Sequence, residues 1–197
     1  MILRSLFLSE NWIEGFYVDV GAYHPKRFSN TYYFYQTGWR GINIDANADA
    51  IKLFNKYRPR DINVHSGVGT IASNLKYYQF KESAYSTFSE ERYKDLLKKQ
   101  IAFESIREVP VFPLSEILKR YISDKQRISF MDIDVEGLDY DVLLSNDWEI
   151  YRPVYLLVEI WNTGKKDIDS SKESLFLREK GYRLVAKANN TSIFRAV

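Results

Sequence analysis

The sequence predicts a doubly wound α/β domain, with a mostly parallel sheet and a C-terminal antiparallel hairpin. Five short runs are apolar along nearly their whole length, which suits strands covered on both faces. Helical segments lie between them, so strand and helix alternate. The last two strand-like runs flank two adjacent asparagines, the chemistry of a hairpin turn.

Taken in order, GFYVDVG (15–21) is the first strand and NTYYFYQTG (30–38) the first helix. Ser29 or Asn30 is placed to cap that helix, and Gly38 to stop it. GINIDAN (41–47), INVHSGV (62–68), ISFMDIDV (128–135) and VYLLVEIW (154–161) are the remaining central strands. Helices are expected over 48–58, 113–122 and 139–146, with Pro59 and Pro153 closing segments. Region 70–112 is less regular: LKYYQF reads as a strand, SAYSTFS as a loop and 89–103 as a polar-faced helix. It reads as an insertion or lid over one sheet edge. The tail gives a helix, a stop at Gly181, a strand, a turn at Asn189–Asn190 and a final strand.

The 197 residues, 45% of them hydrophobic, fit one domain spanning the chain better than two. A formal charge of +2 supplies no field for nucleic acid or anionic lipid, so no nucleic-acid partner is expected. The absence of cysteine excludes disulfides, thiolate metal sites and a Cys nucleophile. The opening MILRSLFLSENW is too short and too interrupted for a signal core or a membrane span, and the chain is read as cytoplasmic.

The strands end on acids: Asp19, Asp45, Asp134 with Glu136, and Glu159. Open α/β sheets bind ligands beyond the carboxyl ends of their strands. A single such acid is ordinarily a solvated loop residue or a helix cap, but here four strand ends share the feature. Neither GxGxxG nor GxxxxGK[ST] occurs, so a phosphate cradle is not indicated. One glycine, Gly21, would permit close backbone approach, and Asp45 follows it by 24 residues, near the spacing of an acid that reaches a ribose diol. A nucleoside carrying positive charge suits this pattern, as S-adenosylmethionine does with its sulfonium and ammonium groups.

FYVDVGAYHP, SNTYYFYQTGWRGINIDAN, FMDIDVEGLDYDVLLSNDW and YRPVYLLVEIW resemble, in this order, the FkbM-type S-adenosylmethionine-dependent methyltransferases. The resemblance implies a Rossmann-like class I methyltransferase fold and O-methylation of a saccharide, glycan or secondary metabolite. It implies that Asp19, Val20, Gly21 and Ala22 form the turn under the methionine part of the cofactor. Asp45 would take the ribose hydroxyls, Ala46 would lie beside the adenine, and Ser66 and Gly67 would border the adenosine. Asp134 to Gly137 would stand at the catalytic mouth, with Asp134 also touching the cofactor. Many relatives have Lys where this chain has Asp132, a departure that bears on the acceptor.

Asp134, Glu136, Glu159 and His24 are the catalytic candidates, His24 as general base and the acids to orient the acceptor. Asp134, Glu136 and Glu159 are also candidate ligands for Mg²⁺, although Glu136 could instead cap the following helix. A turn-fixing role for His24 and a structural role for His65 are the plain alternatives. Trp161 and Asn162 could contact the acceptor. Lys26, Arg27, Arg40, Arg58 and Arg60 read as solvated surface charge. The aromatics of KYYQF and SAYSTF could stack on a sugar or a base, or form a covering lid with its own small core. The expected partner is a small-molecule or glycan acceptor. N-methylation, RNA ribose methylation and an inactive binding module are the rival readings.

Overall fold

A computed structural model describes residues 2–9, 12–160 and 168–197; Trp161 and Asn162 fall outside them. The main sheet runs β3-β2-β1-β7-β8-β10-β9. Its parallel part comprises β1 (Phe16–Val20), β2 (Arg40–Asp45), β3 (Ile62–His65), β7 (Phe130–Ile133) and β8 (Tyr155–Glu159). The hairpin strands β9 (Tyr182–Ala188) and β10 (Thr191–Ala196) pair antiparallel, and β10 pairs antiparallel with β8. The α/β architecture, the parallel centre and the closing hairpin are as expected.

The near-continuous apolarity of the central strands follows from helices on both faces. On one face Val18, Val20, Ile42, Ile44, Met131, Ile133, Leu156 and Val158 pack against α5 (Leu114–Tyr121), α6 (Asp139–Leu144) and α7 (Lys172–Glu179). On the other, Tyr17, Phe130, Tyr155 and Leu157 pack with Phe34 of α2 (Tyr32–Gln36), Trp39, and Leu3 and Phe7 of α1 (Ile2–Ser9). Helix α1 is an element that the sequence reading left as an apolar patch. Phe7 places it, meeting Trp12, Phe34, Trp39 and Tyr155 edge to face at 5.1–5.5 Å.

Helix α3 (Ala48–Tyr57) starts where Asn47 Oδ1 accepts the Asp49 and Ala50 amides. Helix α2 begins at Tyr32; Ser29 Oγ accepts the Tyr32 amide at 3.2 Å, and Gly38, at a φ of 101°, ends the segment. Asp139, not Glu136, accepts the amides of the turn before α6, those of Val135 and Gly137.

Region 70–112 joins β4 (Gly67–Val68) in a second sheet of order β4-β6-β5, supplying β5 (Ser73–Phe80) and β6 (Phe103–Phe112). The single helix expected over 89–103 is shorter, α4 (Glu90–Lys98), because Gln100 turns the chain at a φ of 58° into β6. Tyr78, Phe80 and Leu96 form a separate small core here with Tyr93, Ile101 and Phe103. Pro110 and the charges of β6 hid from the sequence reading that this segment is a strand.

Chain order reverses between β1 and β7. Helices leave the sheet on either side of that point, opening a crevice beyond the carboxyl ends of the strands. Asp19 of β1 and Asp132 of β7 stand in register across it.

Candidate functional site

A cavity of about 250 Å³ occupies this crevice. All nine residues expected to touch a cofactor line it: Asp19, Val20, Gly21, Ala22, Asp45, Ala46, Ser66, Gly67 and Asp134. The turn after β1 forms its floor. Gly21 has a φ of 81°, and a Cβ there would lie 1.8 Å from the Asp134 carbonyl oxygen. The glycine thus lets the turns after β1 and β7 touch, a reason different from the approach to a ligand expected of it.

Asp45 closes β2. Its Oδ2 accepts the Tyr23 amide and its Oδ1 the Asn47 amide, each at 2.7 Å, so the carboxylate fixes both flanking loops and faces the cavity. Burial raises its pKa against those hydrogen bonds. Beside it Ser66 donates its hydroxyl to the Gly67 and Pro110 carbonyls and its amide to the Asp45 carbonyl, so it shapes the wall without a free donor. Ala46 offers its carbonyl to His65 Nε2 at 3.0 Å, a structural use of His65.

Opposite these lie residues that the sequence reading did not assign to a cofactor: Tyr77, Ser83, Ala84, Ser86, Thr87 and Phe88, all from the second sheet and its loop. Tyr77 and Phe88 meet at 5.0 Å, and Phe88 packs so close to Gly67 that a Cβ there would fall 2.6 Å from its ring. Their only signal in the sequence was the aromatic pair of segments KYYQF and SAYSTF. The second sheet is tied down on both sides of the cavity. Tyr23 Oη donates to Glu82 at 2.8 Å, and Arg92 of α4 pairs with Glu136.

The far end of the cavity is acidic. Asp132 and Asp134 both line it, and neither has a basic residue among the charges acting most strongly on it. Asp134 is open to the cavity on one side. The protein around its carboxyl, and then Glu159, Asp132, Glu136 and Asp139, push its pKa up, to about 9. Glu136 sits at a φ of 56°, which turns it away from the strand alternation toward Arg92. Tyr23 at 56° and Phe28 at 55° are also left-handed and also line the cavity, so backbone strain gathers here. Asp139 is buried and occupied by backbone amides.

Two candidates are not brought to the cavity wall. His24 Nδ1 accepts the Lys26 and Arg27 amides, both at 3.0 Å, which puts the ring proton on Nε2 and leaves no free acceptor nitrogen. Burial and then the charges of Arg27, Lys26 and Arg58 lower its pKa. Glu159, at the end of β8, acts on Asp134 through its charge but does not line the cavity. Among the described residues no three His or acidic side chains are arranged to hold a metal ion. The candidate Mg²⁺ ligands Asp134, Glu136 and Glu159 are therefore not assembled into a set, Glu136 being held by Arg92.

Arg58, expected at the surface, is fully buried. Its Nε donates to the Pro25 carbonyl (2.8 Å), Nη1 to Thr31 Oγ1 (2.7 Å) and to Asn43 Oδ1 (3.3 Å), and Nη2 to Ser29 Oγ (2.7 Å). Thr31 passes the interaction on by donating to Asp19, while Asp61 stands 3.9 Å from the guanidinium. Arg58→Met would leave Asp61 and Asp19 buried without a cation. Breaking a buried pair costs about 3–5 kcal/mol, so the melting temperature should fall by on the order of 10 °C in calorimetry. An unchanged melting curve would show the network to be dispensable.

The model of the Methyltransferase FkbM domain matches residues 19–184 of the chain. Among solved structures the chain is similar to the methyltransferase FkbM from Methylobacillus flagellatus KT, with a TM-score of 0.54 and 12% identity, over 92% of this chain and 43% of that one. At that identity the likeness is one of fold, and the chain spans less than half the length of that structure's chain. No curated protein matches the sequence.

Proposed function

The chain belongs to the FkbM methyltransferase family, and from that premise we propose that it moves a methyl group from S-adenosylmethionine to a hydroxyl oxygen of a saccharide or secondary metabolite. The observation that carries the reading is the polarity of the cavity: Tyr77, Phe88 and Asp45 at one end, Asp132 and Asp134 at the other, and the Gly21 turn between. An aromatic slot beside a ribose-binding acid suits adenosine, and a carboxylate end suits a sulfonium and an ammonium. When bound, S-adenosylmethionine supplies an electrophilic methyl on cationic sulfur.

The chain's own residues then have three tasks. Asp45 accepts hydrogen bonds from the ribose hydroxyls. The Gly21 turn and Asp134 hold the reacting end in line, since displacement at a methyl depends chiefly on positioning. Asp134, open to the cavity, accepts the hydrogen bond of the attacking hydroxyl and receives its proton. The second sheet, latched through Glu82 and Arg92, keeps bulk water from the site.

Calorimetry with S-adenosylhomocysteine tests the cofactor half of the reading, and no binding would sink it. Incubation of the protein with cell extract and isotopically labelled cofactor, followed by mass spectrometry for one added methyl, tests the acceptor half; label on nitrogen or on RNA would overturn O-methylation. Asp45→Ala removes a charge-assisted hydrogen bond of about 1.5–3 kcal/mol, so S-adenosylhomocysteine should bind at least about tenfold more weakly. Because Asp45 also holds the Tyr23 and Asn47 amides, the melting temperature should drop as well. Unchanged affinity would remove Asp45 from the site.

A further inference from the structure

We propose that Asp19 and Asp132 form a two-carboxylate seat for the ammonium group at the amino-acid end of the cofactor, with Asp132 supplying the charge that distinguishes the seat. The inference rests on the methyltransferase reading and adds a ligand-binding role for Asp132. Adjacent parallel strands fix the pair: Asp19 and Asp132 are register partners on β1 and β7, so their side chains leave the same face of the sheet side by side. Both line the cavity, and both are buried, at 5% and 6% exposure.

Each carboxylate is held from the same loop. Asp19 Oδ2 accepts the Thr31 hydroxyl, and Asp132 Oδ2 accepts a hydrogen bond from the Asn30 side-chain Nδ2 at 2.9 Å. Oδ1 of Asp132 has no hydrogen bond among the described residues, although the residue is more than nine-tenths buried and lines the cavity. That oxygen opens onto the cavity, where it is placed to accept a hydrogen bond from a ligand.

The surroundings decide the sign of that ligand. Asp45 and Asp61 act on Asp19, Asp139 and Glu159 act on Asp132, and Asp134 stands in the turn that follows. The cation acting on Asp19 is Arg58, which reaches it through the Thr31 hydroxyl and is shared with Asn43, Ser29 and Asp61. Two such buried like charges cannot both ionise without a counter-charge, so the empty pair keeps a proton. Burial first and then the Asp19 charge hold Asp132 up to about 8, while burial, opposed by Thr31 and Arg58, leaves Asp19 at about 6. Near neutral pH the pair thus shares a proton. An arriving ammonium favours the doubly ionised pair and expels that proton to solvent. Affinity therefore rises with pH between about 6 and 8 and levels off above the upper step, where the empty pair has already lost its proton.

The test is calorimetry at pH 7 in two buffers of different ionisation enthalpy, with S-adenosylhomocysteine and with 5′-methylthioadenosine, which lacks the amino-acid end. The wild type should release between about half a proton and one proton on binding S-adenosylhomocysteine, and none on binding 5′-methylthioadenosine. Asp132→Asn should bind S-adenosylhomocysteine at least about tenfold more weakly, without proton release, and bind 5′-methylthioadenosine within about twofold of wild type. Tight S-adenosylhomocysteine binding by the wild type with no proton release overturns the seat and leaves the methyltransferase reading standing. So does an Asp132→Asn variant that binds it as the wild type does. Failure of the wild type to bind either nucleoside removes the reading and the seat together.

Discussion

Gly21→Val should weaken S-adenosylhomocysteine binding by at least about a hundredfold, while much of the secondary structure persists. Two independent demands meet at this glycine. Its φ of 81° is a left-handed conformation that costs an ordinary residue roughly 1–2 kcal/mol, and more for a β-branched one. The larger demand is steric, because a Cβ would lie 1.8 Å from the Asp134 carbonyl oxygen and 2.8 Å from its carbon. That partner is backbone and cannot rotate away. The turns after β1 and β7 must then separate, moving Asp19, Asp132 and Asp134 apart at the point where the sheet changes direction. Gly38→Ala is the control: its φ of 101° is also left-handed, but nothing lies within 4 Å of the added carbon. It should cost about 1–2 kcal/mol of stability and leave binding unchanged. If Gly21→Val folds and binds normally, the two turns do not form the floor of the site.

The parallel centre of the sheet was legible because β1, β2, β7 and β8 are buried on both faces, and two-sided burial leaves an apolar run in the sequence. The acids at their ends were legible for the complementary reason: a charge that closes such a run sits where the sheet meets the crevice. The cavity lining followed from those positions. Other features depend on partners distant in the chain. Tyr77 and Phe88 reach the cavity because a second sheet folds back over Gly67, and no local spacing encodes that return. Arg58 looked like any arginine at a helix end; its burial is decided by Pro25, Ser29 and Thr31 of the loop before α2 and by Asn43 of β2. His24 had the chemistry of a base, but two backbone amides behind it take the nitrogen that a base would need.

With His24 so engaged, the group that can receive the proton is Asp134, and its replacement should have the largest effect on turnover. Asp134→Asn keeps the side-chain shape and removes the acceptor charge. Loss of a positioned general base typically costs about 10²–10⁴ in rate, so methyl transfer to the acceptor identified in the labelled-extract experiment should fall by that factor. S-adenosylhomocysteine affinity should change far less, because Asp45 and the Gly21 turn are untouched. The pH profile supplies the sign. Surrounding protein and then the charges of Glu159, Asp132, Glu136 and Asp139 raise the Asp134 pKa to about 9 in the empty site. A carboxyl with a raised pKa is protonated below it, so the base form, and with it the rate, grows as pH rises toward that value. A bound sulfonium favours the ionised form and shifts the midpoint lower. The wild-type rate should therefore climb between roughly pH 6 and 9 and then flatten, whereas Asp134→Asn should be slow and lack that step. The Glu136→Gln variant separates charge from contact: it removes one of the acids raising the Asp134 pKa, and should move the midpoint downward without abolishing turnover. If Asp134→Asn transfers methyl groups at the wild-type rate with the wild-type pH profile, the proton leaves by another route.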